Sequence, residues 1–140
     1  LLIVVLLIIG NSMQSCNNSD DPSDKEITEE ILQSKNWTTS SIVVPENTAT
    51  DSDDWLAFTV SFITTSMNTA GHPTGAEAVW PSGNYSVSDD GKRITRQDGV
   101  VMVLTSISET SFSITFTVPE GTETNGRIAA LDGDYIFNMN

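Results

Sequence analysis

The chain has 140 residues, with 19 acidic against 6 basic side chains, a net charge of −13 and a single cysteine. That length suits one domain, and the acidity excludes the basic footprint that nucleic acid or anionic lipid head groups require. One cysteine closes no internal disulfide, so the fold must be held by its core.

Leu1-Leu2-Ile3-Val4-Val5-Leu6-Leu7-Ile8-Ile9 is an unbroken aliphatic run ending at Gly10. As a helix it would cover about 13 Å, less than half of a ~30 Å hydrocarbon core. It therefore suits the apolar region of a signal peptide rather than a spanning helix. Neither an initiator Met nor a basic segment precedes Leu1, so the sequence is expected to begin inside that signal peptide. Met13-Gln14-Ser15-Cys16 resembles a lipoprotein box, which wants an aliphatic at −3, a small residue at −1 and an obligatory Cys at +1. Met stands where Leu is usual. Ordinary secretory cleavage fits less well because Met13 is not small, and a buried strand would leave the aliphatic run beside a polar tract. Cys16 is thus the expected lipid-attachment site and mature N-terminus, which also accounts for the lone thiol. Removing residues 1–15 leaves 140 − 15 = 125 residues and the full charge of −13, since that segment is uncharged.

Asn17 to Asp24 holds three acids, a proline and no apolar residue, the composition of a solvated tether. An acidic tract just after a lipidated Cys looks like the signal that sends lipoproteins of Bacteroidetes-type bacteria to the outer face of the outer membrane. The alternative is a generic spacer. The expected organisation is a signal peptide over 1–15, a tether over 16–26 and a β-domain over 27–140, with a helix straddling the junction. That helix is expected from about Ser23 to Ser34, because Ser23 and Glu26 have capping-box spacing. Ile27 and Ile31, with Leu32, would form its apolar face.

Beyond it the period changes. Trp37 to Val44 is β-branched and hydroxyl-rich and stops at Pro45. Glu46 to Asp54 is an acidic loop, and Leu56, Phe58, Val60 and Phe62 alternate with period two. Thr64 to Pro81 is irregular and reads as a long connection. Tyr85 and Val87 lead into the turn Ser88-Asp89-Asp90-Gly91-Lys92, Arg93 to Arg96 is a short strand, and Asp98-Gly99 is a hairpin signal. Val100 to Ile107 is apolar on both faces, Ser111 to Val118 alternates, and Asp134 to Met139 puts Tyr135, Phe137 and Met139 on one face. The pattern predicts an all-β meander of seven or eight antiparallel strands, closed as a small barrel or folded as a sandwich to hide its edges.

Leu32-Gln33-Ser34-Lys35-Asn36-Trp37 resembles the entry of lipocalin-like domains, where a helical turn precedes a Trp at the start of strand one. Trp80 to Gly91, Ile107 to Phe112 and Gly133 to Phe137 are similar to barrel strands of lipocalin-like lipoproteins in the same bacteria. The resemblance covers about Ile27 to Asn140. It implies an up-and-down barrel whose mouth takes a small apolar ligand, and it transfers no catalytic residue and no cofactor.

The residues themselves show no catalytic constellation. His72, the only histidine, reads as an exposed loop residue. Asp51, Asp53 and Asp54 lack the spacing and terminal bidentate Glu of a calcium loop, and a solvated acidic loop is the better reading. Trp37, Phe58, Phe62, Tyr85, Phe112, Phe116, Tyr135 and Phe137 fall on inward strand phases and are expected to fill the core. Trp55 and Trp80 border the two long loops. They are the candidates for flanking a ligand mouth or stacking on a glycan, against the plainer reading that they anchor their loops. The expected function is a non-enzymatic lipoprotein held to the outer membrane by acylated Cys16, facing the cell surface or the periplasm. Its barrel would bind a small apolar ligand or glycan. The alternative is a structural or interaction module with a solid core and a protein partner.

Overall fold

A computed structural model describes residues 21–46, 48–122 and 130–140. The first regular element is helix α1, Asp24–Gln33. The capping box forms: the Glu26 amide donates to Ser23 Oγ at 3.3 Å, and the Ser23 amide donates to the Glu26 carboxylate at 2.7 Å. The Ser23 amide, and then the Ser23 hydroxyl donating to the same carboxylate at 2.9 Å, hold the exposed Glu26 carboxyl below its ordinary pKa. The helix therefore begins inside the stretch 16–26 expected to be tether, because the cap satisfies its first free amides. Its buried face also differs. Thr28 and Leu32 point inward, Ile31 is half-buried and Ile27 is exposed. The helix is turned so that Thr28 Oγ1 can donate to Gly91 O at 3.0 Å. That contact needs Gly91 at φ +66°, where an added Cβ would lie 2.6 Å from Asp24 O.

Eight strands follow: β1 Asn36–Val43, β2 Thr59–Ile63, β3 Ser66–Ala70, β4 Gly83–Val87, β5 Arg93–Arg96, β6 Val101–Ile107, β7 Phe112–Val118 and β8 Gly133–Met139. Each pairs antiparallel with the next, and β8 returns to β1. The result is a closed up-and-down barrel with a short helix: of the two closures the alternation leaves open, it is the barrel, which the resemblance implies, and not the sandwich. Beyond the β1–β8 register, the Thr38 and Asn140 amides donate to each other's carbonyls at 3.0 and 2.9 Å. Closure pairs the strand edges that an open sheet would expose.

Two stretches differ from the sequence reading. β3 lies inside the region expected to be a long connection, and Thr64–Thr65 alone joins it to β2. Leu56 is not an inward strand residue. Ser52–Trp55 forms a 3-10 turn that carries the chain up to Phe58, so Leu56 is left 55% exposed. Inward alternation starts instead at Phe58, Val60 and Phe62.

The barrel has two unlike ends. At the base, α1 lies across the opening beside the β2–β3, β4–β5 and β6–β7 turns. At the crown run the longer β1–β2, β3–β4 and β7–β8 connections, together with the β5–β6 turn. Charge follows the same division. Among all strand residues the charged ones are Arg93, Arg96 and Asp134, so the walls are neutral and the ends carry the acidity.

Candidate functional site

The inward residues of the staves form a continuous aromatic interior. Near the base, Trp37 meets Phe112 edge-on at 4.9 Å between ring centres, and Phe62 meets Tyr85 at 5.1 Å. The Trp37 indole N–H donates to Leu32 O at 2.8 Å, which ties the end of α1 into the barrel. Gln33 Nε2 donates to Tyr85 Oη at 3.1 Å. Burial pushes the Tyr85 phenol up, against the bond from Gln33 and with the charge of Glu29. All eight aromatics expected in the core are buried.

The two tryptophans weighed as a ligand mouth or as loop anchors do not form a rim. Trp55 and Trp80 are both 0% exposed. Trp55 packs edge-on against Phe58 at 5.5 Å and Phe137 at 5.3 Å. Trp80 packs against Phe58 at 5.3 Å, Phe137 at 5.1 Å and Phe116 at 5.5 Å. The crown connections dip inward and deliver both indoles into the lumen. An indole with no accessible face cannot stack on a sugar from solvent. The physical reason for the inversion is space. Short staves such as β3 supply one large inward residue, Met67, and the loop tryptophans fill the room this leaves.

Hydrogen bonds fix the plug. The Trp55 indole donates to Thr50 Oγ1 at 3.1 Å, and the Trp80 indole to Met67 Sδ at 3.3 Å. His72 is partly buried rather than exposed. Its Nε2 lies 2.8 Å from Trp80 O, and its ring sits 5.1 Å from that of Phe58 and 6.1 Å from that of Trp55. Tyr135 Oη donates to Leu131 O at 2.9 Å and lies 3.2 Å from Thr48 Oγ1. Burial raises the Tyr135 phenol, opposed by Thr48 and Thr50 and reinforced by the charge of Asp132. Among the described residues, every buried side-chain nitrogen and oxygen has a partner. Nothing polar in the described interior is left waiting for a ligand.

One buried charge went unmarked in the sequence reading. Arg96 is 4% exposed. It donates from Nη1 to Val79 O at 2.7 Å, from Nε to Asp98 Oδ1 at 3.1 Å and from Nη2 to Asp98 Oδ2, with its guanidinium 5.5 Å above the Phe116 ring. Burial pushes the Asp98 carboxyl up, but the bonds and charge of Arg96 and the Val100 amide outweigh it, and the net shift is downward. The signal was there: in Arg93-Ile94-Thr95-Arg96, period two puts Arg96 on the inward face of Ile94. The pair clamps the β5–β6 turn to the loop that carries Trp80.

The other sequence candidates resolve simply. Cys16 and its box lie outside the described residues. Asp54 Oδ2 accepts from the Asp51 amide at 2.9 Å, which caps the 3-10 turn, and among the described residues no group of three His, Cys, Asp or Glu is placed to hold a metal. Asp90 accepts from Ser88 Oγ and the Lys92 amide, as a turn residue should. The Asp90 carboxyl sits below its ordinary range, chiefly through the Ser88 bond. Surface depressions exist, among them one of about 250 Å³ edged by Met67, Pro81, Ser82, Arg96, Gln97 and Asp98. Another of about 430 Å³ lies between Ile27 and Ile31 of α1 and Glu109. Neither is lined by an interior aromatic.

The fold thus defines a small antiparallel barrel, plugged by a helix at its base and by two indoles at its crown. No protein-family model and no curated protein matches the chain.

Proposed function

We propose that the protein is a lipid-anchored outer-membrane lipoprotein whose lipocalin-like barrel is a non-catalytic interaction module rather than a carrier of small molecules. The observation that carries the module reading is the burial of Trp55 and Trp80 at 0% exposure inside the barrel. A carrier needs a lumen of a few hundred cubic ångströms with a few convergent polar groups. Here aromatic side chains of the chain itself occupy that place and their polar atoms are paired internally. A glycan reader needs an accessible aromatic face, and neither indole offers one.

The anchor reading rests on the sequence. The apolar run, the box ending at Cys16 and the acidic residues after it are the parts of a lipoprotein leader and tether. Durable attachment takes more than one acyl chain on that residue. From Cys16 to Ser23 the chain spans at most about 25 Å, so α1 and the barrel base would face the membrane and the crown would face away.

Two measurements test the proposal. Cys16→Ala should move the protein from the membrane to the soluble fraction, and undiminished membrane association would overturn the anchor. Native mass spectrometry of the protein from its own host should show the polypeptide and its lipid alone. A stoichiometric small molecule that survives delipidation would overturn the module reading in favour of the carrier.

A further inference from the structure

A third depression opens on the crown, with a volume of about 460 Å³. It runs between the β5–β6 turn and the end of β7, over Asp98, Gly99, Val100, Val101, Thr117 and Pro119. Its floor is apolar: Val101 is 47% exposed, Pro119 is exposed and Val100 is half-buried. Three carboxylates stand around that floor. Asp98 lines it, with its side chain 42% exposed. Asp134 lies opposite Thr117 and accepts from Thr117 Oγ1 at 2.5 Å. Glu120 follows Pro119 and is exposed.

The surrounding charge has one sign. Among the described residues the crown connections hold eight acids: four between β1 and β2, Glu77 between β3 and β4, Asp98 in the β5–β6 turn, and Glu120 and Asp132 between β7 and β8. The same described residues include no lysine or arginine. Residues 123–129 add Glu123 and Arg127, whose charges cancel. Arg96, at the crown end of β5, is 4% exposed and is spent on Asp98 and Val79 O. The other four described basic residues, Lys25, Lys35, Lys92 and Arg93, lie at the opposite end of the barrel.

We infer that this groove docks a lysine- or arginine-bearing segment of another protein. An aliphatic side chain of the segment seats on Val101 and Pro119, and its cations lie among the three carboxylates. The segment is then the partner of the interaction module proposed above, and its assignment rests on that reading. Charge complementarity selects the occupant. A second copy would bring acid to acid crown against crown, its walls are neutral, and at its base too the acids outnumber the basic residues. An anionic membrane surface is repelled in the same way. A free polyamine would satisfy the carboxylates and leave the aliphatic floor wet. The acidic crown steers a cationic segment from a distance, over a Debye length of ~10 Å at 0.1 M salt, and the apolar contact fixes where it lands.

The test uses the full chain carrying Cys16→Ala, followed by amide NMR, and three ten-residue probes that alternate lysine with valine, lysine with serine, or glutamate with valine. One groove is far smaller than a standard interface, so the lysine–valine probe should bind with a Kd on the order of 0.1–1 mM. It should move the amides of 98–101 and 117–120 most. The lysine–serine probe should bind about tenfold more weakly, and the glutamate–valine probe should not bind. Val101→Lys should weaken the lysine–valine probe about tenfold. Val43→Lys makes the same charge change at an exposed aliphatic three strands away, and should weaken it less than about twofold. Should Val101→Lys unfold the chain, the serine probe carries the comparison. Any of four results overturns the inference: no binding of the lysine–valine probe up to about 10 mM, shifts as large along the β1–β2 connection as in the groove, equal binding of the two lysine probes, or equal effects of the two folded variants. A small molecule carried in the lumen would instead sink the module reading by native mass spectrometry and leave these shifts standing, so the two failures are separable.

Discussion

Trp80→Ala is the sharpest perturbation of the plugged crown. A tryptophan buries about 150–250 Å², worth roughly 4–6 kcal/mol at ~25 cal/mol per Å². Neighbours relax, and truncations of large aromatics in cores cost about 3–5 kcal/mol. Trp80 suits the experiment because its indole N–H bonds a thioether sulfur, Met67 Sδ at 3.3 Å. Its removal leaves a hole and no strongly unsatisfied polar partner. Urea unfolding should therefore show a loss of about 3–5 kcal/mol at unchanged slope. The hole would be walled by Phe58, Phe116 and Phe137, the rings now packed on Trp80. It should be dry and able to take benzene or indole. At ten times its dissociation constant such a probe restores about 1.4 kcal/mol, and it should leave the unaltered protein unmoved. A loss under 1 kcal/mol, or equal stabilisation of the unaltered protein by the probe, would refute the plug. Either result would mean that the lumen opens without help.

Other outcomes follow from single contacts. Gly91→Ala should cost about 1–3 kcal/mol, because the new Cβ meets Asp24 O at a positive φ, and amide exchange should show α1 loosening before the barrel. Thr28→Val keeps the volume but strips the donor from Gly91 O, for a loss of about 1–2 kcal/mol by urea unfolding. Asp98 has a folded pKa below its ordinary 3.8, so its stabilisation is complete above that value and is lost as pH falls from there through the lower folded pKa. Acid titration of stability should show that loss, and Asp98→Asn should remove it. Since the Asp98 side chain is 42% exposed, the effect should stay under about 1 kcal/mol.

The β-strands were legible in proportion to how strictly they alternate. Phe112–Val118 and Gly133–Met139 place a large apolar residue at every second position, and a pleated strand with one buried face demands that pattern. Ser66–Ala70 was invisible because Met67 is its one large inward residue and its neighbours are polar. β3 is a strand because β2 and β4 pair with it, which is a tertiary cause. Trp55 and Trp80 are candidates for a ligand mouth, or for loop anchors, because they border the two long loops, and connections normally run at the surface. These connections turn inward to fill a lumen whose size depends on the closure of all eight strands, and no local pattern reports that. The helix face was misjudged by one residue for a similar reason, since Gly91, far along the chain, selects Thr28.

The route by which the chain enters the barrel bears on how it would carry load. Any pull transmitted through residues before Ser23 reaches α1 first, which lies across the base and can peel at modest force, acting as a shock absorber. The force then passes to β1, which runs from base to crown along the line of pull. β1 is bonded on one flank to β2 and on the other to β8, with Asn36–Ser61 nearest the point of entry on the β2 side and Thr38–Asn140 on the β8 side. Drawn lengthwise, those bonds are strained together in shear instead of being opened one after another like a zip. The barrel should then unravel only at a much higher force than the helix, so a pull on the residues before Ser23 would unwind α1 before it disturbed the crown.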